Sequence, residues 1–202
     1  MEHLPVLQIV IPLLAAPVCV LLRHHATVRT FAVLVAWTCL GIALTLLAEV
    51  REGGTISYHL GNWAPPLGIE YRVDLLNAYV LVIVSAIGAV VMPFGFGTPE
   101  PGLRDGQHHL YYAAFLLCLT GLLGITITGD AFNVFVFLEV SSLAAYTLIS
   151  LGQHRRALTA GFSYLIMGSI GGTFILVAIG MIYMMTGTLN MADIAERLPP
   201  VL

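Results

Sequence analysis

The sequence predicts an all-α fold, a polytopic membrane helix bundle with six transmembrane helices, and three observations lead to it. The 202 residues are 58% hydrophobic and only 9% charged, against about 25% charged in a soluble domain, and the mean hydropathy is +0.93. Six stretches approach or exceed the roughly 20 apolar residues needed to cross a hydrocarbon core of about 30 Å. Between them lie only short connections, as suits a bundle whose backbone polar groups must be satisfied within helices while in lipid. The six spans form a single transmembrane domain over residues 1–202, with no low-complexity linker and no clear repeat.

The stretches free of Asp, Glu, Arg and Lys are residues 4–22, 30–48, 75–94, 110–128 and 158–185, and residues 131–151 carry one charge, Glu139. The first follows an uncharged start and precedes Arg23 and Arg29, the reverse of a secretory signal peptide, so it is read as a span that stays. Between the second and third spans, residues 55–60 alternate in polarity and 69–73 favour strand, with Gly61, Pro65, Pro66 and Gly68 between them. That pattern predicts a small β-hairpin within the 51–73 loop. Gly129 and Asp130 make the tight turn into the fifth span, where Asp130 also suits a helix N-cap. The sixth span, about 42 Å long at helical rise, must tilt or run past the membrane surface. After it, Asn190 with Asp193 three residues on is a weak capping box. It opens a helix over about 190–198 whose Met191, Ile194 and Leu198 share one face, read as lying in the interface and ended by Pro199 and Pro200.

Charge excludes some functions. Eleven acids against eight arginines leave a net charge of -3 with no lysine, which offers neither a nucleic-acid patch nor a polybasic lipid-binding tail. Arg23, Arg29, Arg104, Arg155 and Arg156 follow odd-numbered spans, whereas Arg51, Arg72 and Arg197 follow even-numbered ones. The positive-inside rule then predicts both termini outside. Cys19, Cys39 and Cys118 lie in apolar runs and read as small packing residues.

Glu139 is the most informative residue. It lies about 12 Å along the fifth span, where a carboxylate costs about 2.5–3.5 kcal/mol and is functional by default. At 100° per residue, Ser142, Tyr146, Ser150 and Gln153 fall within about 60° of it, a polar stripe running to the inner surface, while Phe132, Phe135 and Val136 continue that face outward. Such a stripe would wet a proton-relay carboxylate from one side. The alternative is a structural carboxylate bonded to a neighbouring helix, with the serines as packing residues. No arginine inside any span can be its cation, so a partner must come from another segment or chain.

Weaker features are the polar start of the third span, Asp74 and Asn77; Asn133, about 120° from the stripe; and two histidine pairs, His24 with His25 and His108 with His109, in inner loops. Adjacent histidines diverge by about 100° on a helix and supply too few ligands for a metal site. Gly168, Gly171 and Gly172 form a small-residue surface suited to close helix packing. There is no cysteine cluster for iron–sulfur centres and no nucleotide-binding glycine fingerprint. The expectation is therefore no catalytic residue, no cofactor and no metal in this chain.

The run from Thr128 to Tyr146, TGDAFNVFVFLEVSSLAAY, resembles the fourth-to-fifth helix junction of the antiporter-like membrane subunits. These are shared by respiratory complex I (NADH-quinone oxidoreductase), membrane-bound hydrogenases and multisubunit Mrp cation/proton antiporters. The runs GNWAPPLGIE from Gly61, followed by Asp74, and TGTLNMADIA from Thr186 look like the D subunit of the Mrp group. The resemblance implies a proton-translocating subunit in which the glutamate of the fifth helix, here Glu139, pairs with a lysine on a seventh helix within inverted repeats. It also implies other membrane subunits as partners, protons with sodium or potassium as transported ions, and a bacterial cytoplasmic (inner) membrane location. With six spans and no lysine, the chain is expected to be incomplete relative to the family, its partner lysine supplied by another segment or chain. An inactive truncated or scaffold subunit is the alternative.

Overall fold

The computed structural model describes residues 3–22, 24–94, 107–152 and 154–198. Arg23, Arg104, Gln153, Pro199 and Pro200, which entered the sequence reading, lie outside the described residues.

Six long helices follow the six apolar stretches: α1 (Leu4–Leu21), α2 (His25–Gly53), α3 (Leu75–Phe94), α4 (His108–Ile127), α5 (Ala131–Ser150) and α6 (Arg155–Thr186). Each is long and apolar enough to cross a membrane. The apolar stretch marks the lipid slab and not the helix. Thus α2 continues through Glu49, Arg51 and Glu52, and α6 begins at Arg155; their 29 and 32 residues correspond to about 44 and 48 Å. α1 remains helical through Pro12 and Pro17, as membrane helices tolerate when neighbours re-satisfy the freed carbonyls.

Small residues set the packing. On α2, Ala32, Ala36, Cys39 and Ala43 are fully buried at spacings of four, three and four and form one seam, and on α3, which packs against α2, Ala78, Leu81, Ser85 and Ala89 are equally buried. Small side chains let the two backbones approach, which is how helices associate where lipid removes the hydrophobic driving force. α4 is the hub, packed against α1, α2, α3 and α5, while α6 packs against α5 and leaves Met167, Phe174 and Met184 exposed.

One polar contact crosses this apolar core. The Gln8 Nε2 amide on α1 donates to Ser85 Oγ on α3 at 3.2 Å, and both residues are fully buried. Gln8 Oε1 has no hydrogen-bond partner among the described residues. Ser85→Ala alone should cost about 1–3 kcal/mol because it strands the amide, whereas Gln8→Leu with Ser85→Ala should be close to neutral. Unfolding midpoints of the detergent-purified protein check the contrast.

The predicted hairpin forms. β1 (Ile56–His59) pairs antiparallel with β2 (Glu70–Val73), from Ile56 opposite Val73 to His59 opposite Glu70. A single 3-10 turn at Leu60–Asn62 follows β1, with Gly61 at φ +64°, a conformation glycine adopts without steric cost. The short α7 (Met191–Arg197) follows α6 through Gly187 at φ +69°.

Because successive helices alternate in direction, the connections after α2, α4 and α6 share one end of the bundle. His3 joins them there, its Nδ1 3.0 Å from the Tyr58 hydroxyl. At the opposite end His25 and His108, which open α2 and α4 and do not lie in the loops expected from the sequence, meet edge to face with ring centroids 4.5 Å apart.

Candidate functional site

α5 is fixed first at its N-terminus. The Asp130 carboxylate accepts from the Asn133 amide at 2.8 Å, satisfying an N–H that the first helical turn leaves unpaired. Asp130 is buried; burial pushes its carboxyl above the usual range, and the Asn133 and Phe132 amides pull it back only in part. The Asn133 side chain donates to Thr128 Oγ1 at 3.0 Å. Asn133 is therefore a structural contact away from the Glu139 stripe.

Two opposite faces of α5 then do different things. Asn133, Phe137, Ser141 and Ala144 are buried toward α4, where Gly121 and Gly124 admit them. A Cβ at Gly121 would lie 2.6 Å from Phe137 O and Ser141 N, and one at Gly124 would penetrate the Phe137 ring. The other face carries Glu139, Ser142, Tyr146 and Ser150, all half-buried. It packs on α6: Ser150 lies over Gly161, the Tyr146 hydroxyl over Gly168 and Glu139 Oε1 over Gly172. Tyr146 also stacks obliquely on Tyr164, with centroids 5.7 Å apart. Outward of Glu139, Phe132 and Phe135 are 6.1 Å apart, so the apolar end of the stripe is aromatic.

The structure thus brings Glu139, Tyr146 and Ser150 onto one helix–helix seam with the glycines, with Ser142 on the same side of α5. It also separates glycines that look equivalent in sequence, for Gly171 has nothing within 4 Å of a Cβ position. No salt bridge to Glu139 forms among the described residues, where Asp193 with Arg197 at 3.7 Å is the ion pair present. Asp74, by contrast, accepts from the Asn77 amide at 2.8 Å and caps α3.

A second arrangement was not visible in the sequence. At the end of the bundle shared by the hairpin, the α4–α5 turn and the segment after α6, three backbone hydrogen bonds tie the pieces into one seam. Gly129 N donates to Glu70 O at 2.8 Å, Ala131 N to Leu189 O at 2.8 Å and Met191 N to Gly129 O at 2.9 Å. Asn190 caps α7 by accepting from Ala192 N and Asp193 N, and its amide donates to Glu70 Oε2 at 2.9 Å. The signal was present only as three separated motifs, from Gly61, Thr128 and Thr186, which meet here.

Burial works to raise the Glu70 carboxyl, but the Ser57 hydroxyl at 2.5 Å, the Asn190 amide, His59 and Arg72 outweigh it and hold the group below its usual range. A carboxyl so lowered stabilises the fold above its unfolded value and loses that contribution as pH falls through its folded value. Asn190→Ala removes both this clasp and a helix cap, the cap alone contributing about 0.5–2 kcal/mol. Amide exchange at Ala192 and Asp193 should accelerate in that variant. In Glu70→Gln the acid-induced weakening of the seam should flatten.

An integral membrane helix bundle with a carboxylate in the middle of one span is the class of protein these features define. Residues 128–199 match the family described as NADH:quinone oxidoreductase/Mrp antiporter, TM. The chain is 40% identical over 203 residues to NADH-quinone oxidoreductase subunit N of Desulforudis audaxviator (strain MP104C), covering 99% of this chain and 40% of that protein. It is 32% identical over 198 residues to the D subunit of the Na(+)/H(+) antiporter of Alkalihalophilus pseudofirmus, covering 98% of this chain and 40% of that one. Among solved structures it is similar to a chain of the membrane-bound sulfane sulfur reductase, an archaeal respiratory membrane complex, with TM-score 0.89 and 31% identity over 99% of this chain and 41% of that one. Over nearly its whole length the chain is similar to subunits of NADH-quinone oxidoreductases and Na(+)/H(+) antiporters, and it spans about two fifths of the length of the curated relatives it matches.

Proposed function

We propose that this chain is the N-terminal portion of a proton-translocating membrane subunit, of an Mrp-type monovalent cation/proton antiporter or an NADH-quinone-oxidoreductase-like complex, and that Glu139 is its mid-membrane relay carboxylate. The observation that carries the reading is the lone carboxylate of the span on a seam with hydroxyl groups on one side and aromatic rings on the other. Desolvation disfavours the charged carboxylate and a nearby cation restores it, so a cation moving toward or away from Glu139 changes its proton affinity. That alternation is what a relay requires.

The cation must come from outside these residues, since the chain has no lysine. A segment or second chain bearing an intramembrane lysine would pack on the side of Glu139 that α6 leaves open. Other membrane subunits are the remaining partners, and the coupled ion is the proton, with sodium or potassium exchanged in an antiporter. Ser142 and Tyr146 extend the path toward the end bearing His25 and His108, which the arginine excess assigns to the cytoplasm. The location is then the bacterial cytoplasmic membrane, with α7 resting in its outer interface.

The test is proton-coupled transport by the assembled complex in vesicles after Glu139→Gln. Loss of transport with assembly intact is expected, and wild-type transport would discard the relay role.

A further inference from the structure

α6 contacts α5 through positions that lack a side chain. Gly161, Gly168 and Gly172 lie within about 20° of one line on α6 at 100° per residue, and α5 runs along that line. At two of the three positions the neighbouring group is the polar end of a relay side chain: the Tyr146 hydroxyl occupies the volume a Cβ at Gly168 would take, and Glu139 Oε1 that of a Cβ at Gly172. Gly172 is buried on an α6 that is otherwise mostly exposed. The carboxylate therefore rests against the α6 backbone at a place where any side chain would displace it.

We propose that Gly172 and Gly168 are positioning residues of the relay, Gly172 setting where the Glu139 carboxylate lies and Gly168 where the Tyr146 hydroxyl lies. The proposal rests on the relay reading of Glu139. General close packing would demand small residues at every α6 position along the seam. Positioning instead makes the demand depend on the length of the particular side chain opposite, which gives it a distinct signature: a methyl added on α6 is relieved by an atom removed on α5.

The experiment uses the full complex in vesicles. Gly172→Ala should lower proton-coupled transport by about tenfold or more, since a 1 Å misplacement of a reacting group costs up to about 10²-fold. Glu139→Asp, one methylene shorter, should restore part of the loss when combined with Gly172→Ala. Tyr146→Phe, which removes the overlapping hydroxyl but leaves the ring carbon Cζ 2.6 Å from that Cβ position, should relieve Gly168→Ala in part. Gly171→Ala, which meets open space, should transport like wild type. Wild-type transport by Gly172→Ala, or a loss that Glu139→Asp leaves unrelieved, overturns the proposal. Should Gly172→Ala fail to assemble, recovery of assembly in the double variant supports the contact and continued failure overturns it. Transport surviving Glu139→Gln removes the relay reading itself, whereas transport lost in Glu139→Gln but intact in Gly172→Ala removes positioning alone.

Discussion

Gly121→Leu is expected to force α4 and α5 apart and to lower the unfolding midpoint more than any other substitution argued from this fold. A Cβ at 121 lies 2.6 Å from Phe137 O and from Ser141 N. Those atoms belong to the α5 backbone and cannot rotate away as a side-chain tip can. Relief requires moving a whole helix, and α5 is held at its start by the Asp130 cap and by the Ala131 to Leu189 hydrogen bond. Overpacking of a tight contact costs about 1–3 kcal/mol, occasionally more, from a total of about 5–15 kcal/mol. Gly88→Ala is the informative contrast, because its Cβ would meet only the Leu119 side-chain tip, at 2.9 Å. Gly41→Ala and Gly180→Ala, with nothing within 4 Å of a Cβ, should leave the midpoint unchanged. Thermal unfolding in one detergent, with all four variants side by side, measures the order; equal midpoints for Gly121→Leu and Gly41→Ala would show that α4 and α5 approach less closely than these distances require.

The same contact explains what could be read from the chain and what could not. Hydropathy locates six apolar slabs because it integrates over many residues, and the helices follow them. Their ends were less legible: Glu49, Arg51 and Glu52 stop the apolar count at 48, although the helix continues to Gly53. A charged side chain at the membrane surface does not interrupt backbone hydrogen bonding. The hairpin was legible because alternation over residues 55–60 is local, and so were the Asp130 and Asn190 caps, which act within three residues.

Pairings between distant segments were not legible from physical pattern. Glu70 and Asn190 are 120 positions apart, and nothing in either neighbourhood specifies the other. Periodicity placed Glu139, Ser142, Tyr146 and Ser150 on one face of α5, but it does not say which helix that face meets. It equally could not tell Gly171 from Gly172, because the difference lies in α6's rotation about its own axis, set by contacts with α5.

Glu139→Gln in the assembled complex is expected to reduce proton-coupled transport by about 10²-fold or more, the scale on which positioned acid–base groups act. Glutamine keeps the volume and can still accept a hydrogen bond, so it fits over Gly172 and should leave assembly and unfolding midpoint nearly unchanged. What it loses is the ability to hold and release a proton at this depth, where no other carboxylate lies on the span. Glu139→Asp keeps the carboxyl but withdraws it from α6 by one methylene, so transport should fall less. Ser142→Ala and Tyr146→Phe should have smaller effects, roughly two- to tenfold, the equivalent of one hydrogen bond at about 0.5–1.5 kcal/mol. The ranking Gln below Asp, and both below the hydroxyl variants, separates a proton carrier from a structural carboxylate. A structural group would be served almost as well by glutamine and worse by the shorter aspartate, so the order of the two acid-site variants would invert. Initial rates of pH change in vesicles, normalised to assembled complex, decide between the two orders.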